Sequence, residues 1–189
     1  MRPESHTARS GAARGPGGAR TAAVTDADLR RAASAFPTGV ALVTGPGGLG
    51  LHVDTFISVS LDPPLVAFSP SRQSLTWRRI RRDGRIGISV LGAQHAAGLH
   101  DRARPGADSL AGLEVELAGA VPVVRDALAV LLCVLEAEHP AGDHTLVVAR
   151  VLEVRDGAGG APLVFHRGAF GTVARFAQAL PAVYPRPVH

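Results

Sequence analysis

A histidine, a carboxylate and four hydroxyls punctuate a stretch that otherwise reads as buried strand. The stretch is GLHVDTFISVSLDPPLVAF, from Gly50 to Phe68, with His52, Asp54, Thr55, Ser58 and Ser60 inside it and Ser69 just beyond. Small hydroxyls and main-chain groups suit a flat, polar ligand, because they approach closely and lose little entropy when ordered. A second cluster begins SLTWRRIRRDG, where Gln73, Ser74 and Leu75 stand at a helix start. Such a start presents unpaired N–H groups and partial positive charge to an anion. Arg78, Arg79, Arg81, Arg82 and Arg85 follow, either adding attraction or forming a solvated face. The third cluster, Gly142-Asp143-His144, reads on its own as a turn that carries an imidazole.

Other chemistries find no support. The eight histidines show no H-x-x-x-H or carboxylate-linked helical spacing for a metal. Cys133 is the single cysteine and lies in ALAVLLCVLEAE, which excludes an internal disulfide and a cysteine zinc site and points to a buried strand residue in reducing cytosol. No G-x-S-x-G elbow is present. TGPGGLG has loosely the glycine spacing of a dinucleotide fingerprint, but it leads into the strand GLHVDTF instead of a helix, so a hairpin turn is the better reading. The formal charge of +4 is modest and aromatics are 4% of residues, so neither a nucleic-acid footprint nor a set of base-stacking platforms is indicated. No apolar run approaches the roughly 18–20 residues that span a bilayer.

The elements that must hold these clusters are mostly strands. Residues 1–24 are Gly-, Arg-, Ala- and Pro-rich without a hydrophobic period, and are expected to form a disordered arm. TDADLRRAASAFPTG gives a short helix capped by Asp26 or Thr25, with Leu29, Ala32, Ala33 and Phe36 on one face. VALVTG, GLGLHVDTFISVS and PPLVAFSP then read as successive strands. The arginine-faced helix follows, with Ser71 or Ser74 as N-cap, Trp77 and Ile80 inward, and Gly84 as its C-cap. RIGISVL is a strand and AQHAAGLHDRA a second short helix; the last third is strand after strand. The pattern predicts a mainly β barrel or sandwich of about six to eight strands with two or three short helices, in one domain.

With this order in place, the opening stretch resembles the flavin reductase family, whose pattern here is approximately G-[ML]-T-x-[NS]-[SA]-F-x-S-V-S-L-x-P-P-L-V. Phe56, Ser58, Val59, Ser60, Leu61, Pro63, Pro64, Leu65 and Val66 all fit it. AFPTGVALVTG, Ser74-Leu75-Thr76, ISVL, DSLAGL, the GDH motif and PLVFHRGAFG follow in the family's order, over residues 28–171. The resemblance implies a Greek-key split β-barrel at 25–171, with an extension at 172–189, that binds FMN or FAD. It implies hydride transfer from NADH or NADPH to flavin, and supply of reduced flavin to a partner monooxygenase by a cytoplasmic homodimer. By similarity, ring and ribityl contacts fall to His52, Val53, Asp54, Thr55, Phe56, Ser58 and Val59, and phosphate contacts to Gln73, Ser74 and Leu75. His144 would face the nicotinamide as the candidate catalytic residue, and Gly168, Ala169 and Phe170 would contact the dinucleotide.

Three positions depart from the family pattern: His52 replaces its Thr, Asp54 its Asn or Ser, and Arg102 its Phe. An ionised Asp54 accepts but does not donate, and repels an anionic reduced flavin. A His52–Asp54 pair on one strand face would restore a donor. Arg102 adds a charge suited to an adenosine or second phosphate. The departures also admit two other readings: a barrel that holds flavin, haem or another ligand without reducing it, and a flavoenzyme acting on an organic substrate.

Overall fold

The computed structural model describes residues 23–99, 110–157 and 159–173. Arg102, most of the N-terminal arm and most of the C-terminal extension lie outside the described residues. The described chain is mainly β and antiparallel throughout. A seven-stranded sheet runs in the order β3 (Leu49–Val53), β2 (Ala41–Gly45), β6 (Arg85–Val90), β9 (Ala129–Ala141), β10 (His144–Asp156), β5 (Pro64–Phe68) and β4 (Ile57–Leu61). Strand β1 (Thr38–Gly39) joins β11 (Leu163–His166) and β12 (Ala169–Thr172) in a second sheet, and β7 (Val115–Ala118) pairs with β8 (Val121–Val124). No pairing among the described residues closes the large sheet into a barrel, which agrees with a barrel that is split.

Twelve strands are described where the sequence pattern gives six to eight. The surplus comes from two-residue β1, too short to show a period of two, and from stretches read as one strand that divide at a turn: GLGLHVDTFISVS into β3 and β4, LEVELAGAVPVV into β7 and β8, and PLVFHRGAFG into β11 and β12. The β2–β3 hairpin forms where the sequence places it, with Gly47 and Gly48 at φ +82° and +76°, a region that glycine enters without a Cβ penalty.

Strand β2 explains where the core sits. Successive side chains leave opposite faces of a strand. Ala41 and Val43 therefore enter one buried cluster, with Phe68, Trp77, Ile80 and Ile88, while Leu42 and neighbouring Val40 enter another, with Leu91, Val123 and Leu163. Thr44 is fully buried too, and its hydroxyl donates to the carbonyl oxygens of Gly87 and Pro122.

Helix α2 (Leu75–Ile80) docks on β2 and β3 through Trp77 and Ile80, as the periodicity predicts. Its close approach depends on Gly45, where a Cβ would sit 2.9 Å from Ile80 Cγ2 and 3.2 Å from Ile80 Cα. The helix is capped C-terminally by Arg81 and not by Gly84, because a further turn, with Asp83 N–H donating to the Ile80 carbonyl, intervenes before Gly84 at φ +80°. AQHAAG forms a 3-10 helix, Ala93–Gly98, and the remainder of that predicted helix from His100 lies outside the described residues.

Helix α1 (Asp26–Ala33) departs from expectation in its packing. Thr25 caps it with a reciprocal Thr25–Asp28 box, yet no residue of the helix is buried, and Leu29 and Phe36 are 63% and 73% exposed. The apolar face read from the sequence exists, but no described element covers it.

Candidate functional site

Strand β3 delivers the first site residues. His52 lies opposite Leu42 on β2, so it emerges on the face of the second core cluster, whereas Val53 is buried in the first. The strand ends at Val53 and Asp54 projects, exposed, from the turn beyond it. Thr55 Oγ1 accepts from Ser69 N–H at 2.9 Å, tying this turn to the end of β5. Phe56 packs on the first core cluster. Ser58 pairs with Val66, and a bulge before Ser60 carries Val59, which is 51% exposed.

Two cavities open above this turn. One, of about 250 Å³, is walled by Val40, His52, Val53, Asp54, Phe165 and Phe170. The other, of about 570 Å³, includes Arg30, Phe36, Thr38, Asp54, Thr55 and Arg167. They share Asp54 and Phe165 as walls. His52 and Asp54 thus face one space even though Asp54 lies past the strand. Phe170 reaches the first cavity because the β11–β12 turn passes through Arg167 at φ +50° and Gly168 at φ +80°, and its ring tilts against Phe165 at 5.2 Å. Ala169 and Phe170 also line a separate hollow of about 350 Å³ beside Pro37. Arg167 N–H donates to the Ser34 carbonyl at 3.1 Å, fastening this turn to the end of α1.

The Gln73–Leu75 and Gly142–His144 segments, distant in sequence, are clamped together by main chain. Ser71 forms an isolated antiparallel bridge with His144. Arg72 N–H donates to the Asp143 carbonyl at 2.9 Å, and Thr145 N–H donates to the Pro70 carbonyl at 3.0 Å. The Arg72 guanidinium adds a bond to the Gly142 carbonyl at 3.2 Å. Ser71 Oγ accepts from Gln73 N–H, and Ser74 Oγ accepts from Trp77 N–H at 3.1 Å, which fixes Ser74 as the N-cap of α2. Leu75 is 71% exposed.

His144 Nδ1 lies 2.7 Å from Asp143 Oδ1. The hydrogen bond from His144, aided by its charge and more weakly by that of Arg30, holds the Asp143 carboxyl below its ordinary value. Because Arg30 also lines the larger cavity, the GDH loop and that cavity lie within electrostatic reach of each other. Ser58, Val59, Gln73, Ser74, Leu75, His144 and Gly168 wall neither of the two cavities that meet at Asp54.

The sequence reading did not single out Arg30, Thr38, Arg72, Phe165, His166 or Arg167. Arg72 was within reach of it, since it precedes the proposed anion-binding Gln73-Ser74 pair by one residue. Thr38, Phe165, His166 and Arg167 enter through the β1–β11 pairing, Thr38 opposite Phe165, across more than a hundred residues, and Arg30 enters on α1, whose end is fastened by Arg167 N–H to the Ser34 carbonyl.

A family profile described as flavin reductase like domain matches residues 33–174. The chain belongs to the flavin reductase family. This flavin reductase-family chain is 39% identical over 153 residues to the FMN reductase (NADH) SmoA of Agrobacterium fabrum, an alignment covering 78% of it and 86% of the relative. It is 37% identical over 144 residues to a flavin reductase of Pseudomonas putida, covering 74% and 85% of the two chains. Among solved structures, the flavin reductase component of a bacterial two-component tryptophan halogenase matches with a TM-score of 0.68 at 33% identity, covering 79% of this chain and 98% of that one. A Streptomyces globisporus NADH:FAD oxidoreductase matches with a TM-score of 0.72 at 30% identity, covering 85% and 99%.

The residues present fit a flavin. The 570 Å³ cavity falls in the roughly 300–1,000 Å³ range of small-molecule sites. Thr38, on its wall, has a buried hydroxyl with no partner among the described residues, a polar group that a hydrogen-bonding ligand edge would satisfy. Thr55, Arg30 and main-chain groups offer both donors and acceptors, while Phe165 and Phe170 offer flat apolar faces.

Proposed function

We propose that this protein is an NAD(P)H-dependent flavin reductase that passes reduced flavin to a partner monooxygenase. The observation that carries the reading is the cleft around His52–Thr55, with the Gly142–His144 loop clamped onto the Ser71–Ser74 loop at its side. A relative described as the reductase component of 4-hydroxyphenylacetate 3-monooxygenase, from Thermus thermophilus, supports the partnership at 37% identity.

Bound flavin supplies an electron-poor ring that takes a hydride from the nicotinamide. Turn residues Val53 to Phe56 would hold the ring and ribityl chain, together with Ser58 and Val59. The phosphate would be received at the Gln73–Leu75 segment beside Arg72, by the Gln73 and Ser74 side chains and the Leu75 N–H, because the Gln73 and Ser74 N–H groups are committed to Ser71. Direct hydride transfer needs no general base, so His144 binds and orients the nicotinamide. Asp143 Oδ1, 2.7 Å from His144 Nδ1, holds the imidazole in its orientation. Gly168 to Phe170 close the cleft on the dinucleotide side.

The working unit in this reading is a cytoplasmic homodimer. Ile57, Val59 and Leu61 on edge strand β4, 51–84% exposed, together with Leu152 and Val154 on β10, leave apolar surface that a second copy would cover. One specific feature favours a second reading, a barrel that holds oxidised flavin without reducing it: the carboxylate of Asp54 on the cleft wall disfavours an anionic reduced ring.

Calorimetric titration of FMN and FAD together with steady-state kinetics tests the proposal. Thr55→Val should weaken flavin several-fold, and His144→Gln should raise KM for NADH with flavin affinity unchanged. Wild-type binding of neither flavin would refute it.

A further inference from the structure

Arg78 of α2 and the flanking Arg72, Arg81 and Arg82 form a concave feature of which the proposed flavin cleft uses only Arg72. A cavity of about 340 Å³ is lined by Arg72, Arg78, Arg81, Arg82, Trp77 and Thr145. Arg78 is in the last turn of α2, and Arg81 and Arg82 continue its path through the C-cap and the following turn, with Arg81 N–H on the Trp77 carbonyl and Arg82 N–H on the Arg79 carbonyl, so that 78, 81 and 82 fall on one side; Arg79 does not line the cavity. Arg72 is drawn in from the preceding loop, since Arg78 Nη2 donates to the Arg72 carbonyl at 3.1 Å.

The floor is rigid. Trp77 is 3% exposed, stacks edge-on to Phe68 at 5.3 Å, and donates from Nε1 to Glu138 Oε1 at 2.9 Å. Arg81 takes the other oxygen of the same carboxylate at 2.7 Å. Glu138 therefore neutralises one guanidinium and leaves three. Arg72 and Arg78 each spend one N–H on a main-chain carbonyl, which cancels no charge, and Arg82 has no carboxylate partner among the described residues. A solvated helix face need not be concave or braced from beneath, and this one is both.

The cavity also lies beside the proposed phosphate end of the cleft. Thr145 on its wall adjoins His144, the bridge partner of Ser71, and Ser74 caps the helix that carries the arginines. Arg72 and Arg78 stand nearest Ser74; Arg82 stands about one helical turn further along, roughly 6 Å by the rise per residue from Arg78. Two anionic groups in series match this layout better than one.

We infer that the Arg72–Arg78–Arg82 cavity is a second phosphate subsite, which takes the additional phosphate of a dinucleotide. The inference rests on the flavin reductase reading for the placement of the first phosphate. Two sources share the chemistry: the adenylate half of FAD, absent from FMN, and the 2′-phosphate of NADPH, absent from NADH. A planar guanidinium pairs with phosphate through two parallel N–H bonds, and Arg78 and Arg82 are exposed enough to reorient onto it.

The test is the full-length double variant Arg78→Gln/Arg82→Gln, which removes two exposed charges and leaves Trp77, Glu138 and Arg81 in place. Flavin dissociation constants come from quenching of Trp77, the chain's single tryptophan, and nicotinamide KM values from steady-state rates. Loss of about tenfold in FAD affinity, with FMN changed by less than about twofold and the difference erased at high salt, assigns the subsite to the flavin diphosphate. A similar loss confined to NADPH over NADH assigns it to the 2′-phosphate. Equal FAD, FMN, NADPH and NADH parameters in wild type and variant overturn the inference and leave the reductase reading standing. Should wild type bind no flavin, the reductase reading fails. Titration with ADP then decides the subsite: weaker binding to the variant sustains it, and identical or absent binding overturns it.

Discussion

Asp54→Asn isolates the charge that most distinguishes this cleft. Asp54 walls the cavity of about 250 Å³ that also holds His52 and Phe170. A space of that volume is roughly 8 Å across, so an anionic ring within it lies ~6 Å from the carboxylate; with an effective dielectric of ~40 for an exposed group the repulsion is about 1.4 kcal/mol. The neutral oxidised ring feels little of it. Asp54→Asn should therefore tighten reduced flavin about tenfold while oxidised flavin changes less than about twofold. For a two-electron couple, tenfold corresponds to about 30 mV, so the potential of bound flavin should rise by about that amount. Anaerobic reduction against a reference dye reads the shift directly, and strong salt should shrink it. An unchanged potential, or one that falls, would show that the Asp54 carboxylate does not face the ring.

Three further outcomes follow from the packing. Gly45→Ala should destabilise by about 1–3 kcal/mol, read by urea unfolding through Trp77 fluorescence, because its Cβ meets Ile80 backbone as well as side chain. Burial pushes the Cys133 thiol up to about 12, so Ellman's reagent should leave it unmodified in the native protein near pH 8 and label it fully in denaturant. The Asp143 carboxyl is depressed by His144, so its contribution is present above the unfolded carboxylate value and is lost as pH falls through the lower folded one. NADH binding should hold steady down into the ordinary carboxylate range, and Asp143→Asn should raise KM several-fold at neutral pH.

What could be read in the sequence was what local physics decides. Paired glycines at 47 and 48 give the β2–β3 hairpin, Trp77 and Ile80 at helical spacing give the inner face of α2, and an apolar run around Cys133 gives a buried strand. The resemblance added the ligand contacts only as a set of positions; their arrangement is tertiary. His52 and Asp54 meet Phe165 and Phe170 because β1 pairs with β11, and two residues of strand β1 carry no periodic signal. Glu138 gathers Trp77 and Arg81 from 61 and 57 positions away, a link that no local pattern contains. Helix α1 shows the converse, an apolar face plain in the sequence that no described element buries.

Consumption of NADH followed at 340 nm, with free flavin in large excess over protein, tests the central claim most directly. A diffusible reductase should turn over the whole flavin pool, many equivalents per protein, with FMN or FAD. A single stoichiometric reduction, or none while flavin still quenches Trp77, would contradict it.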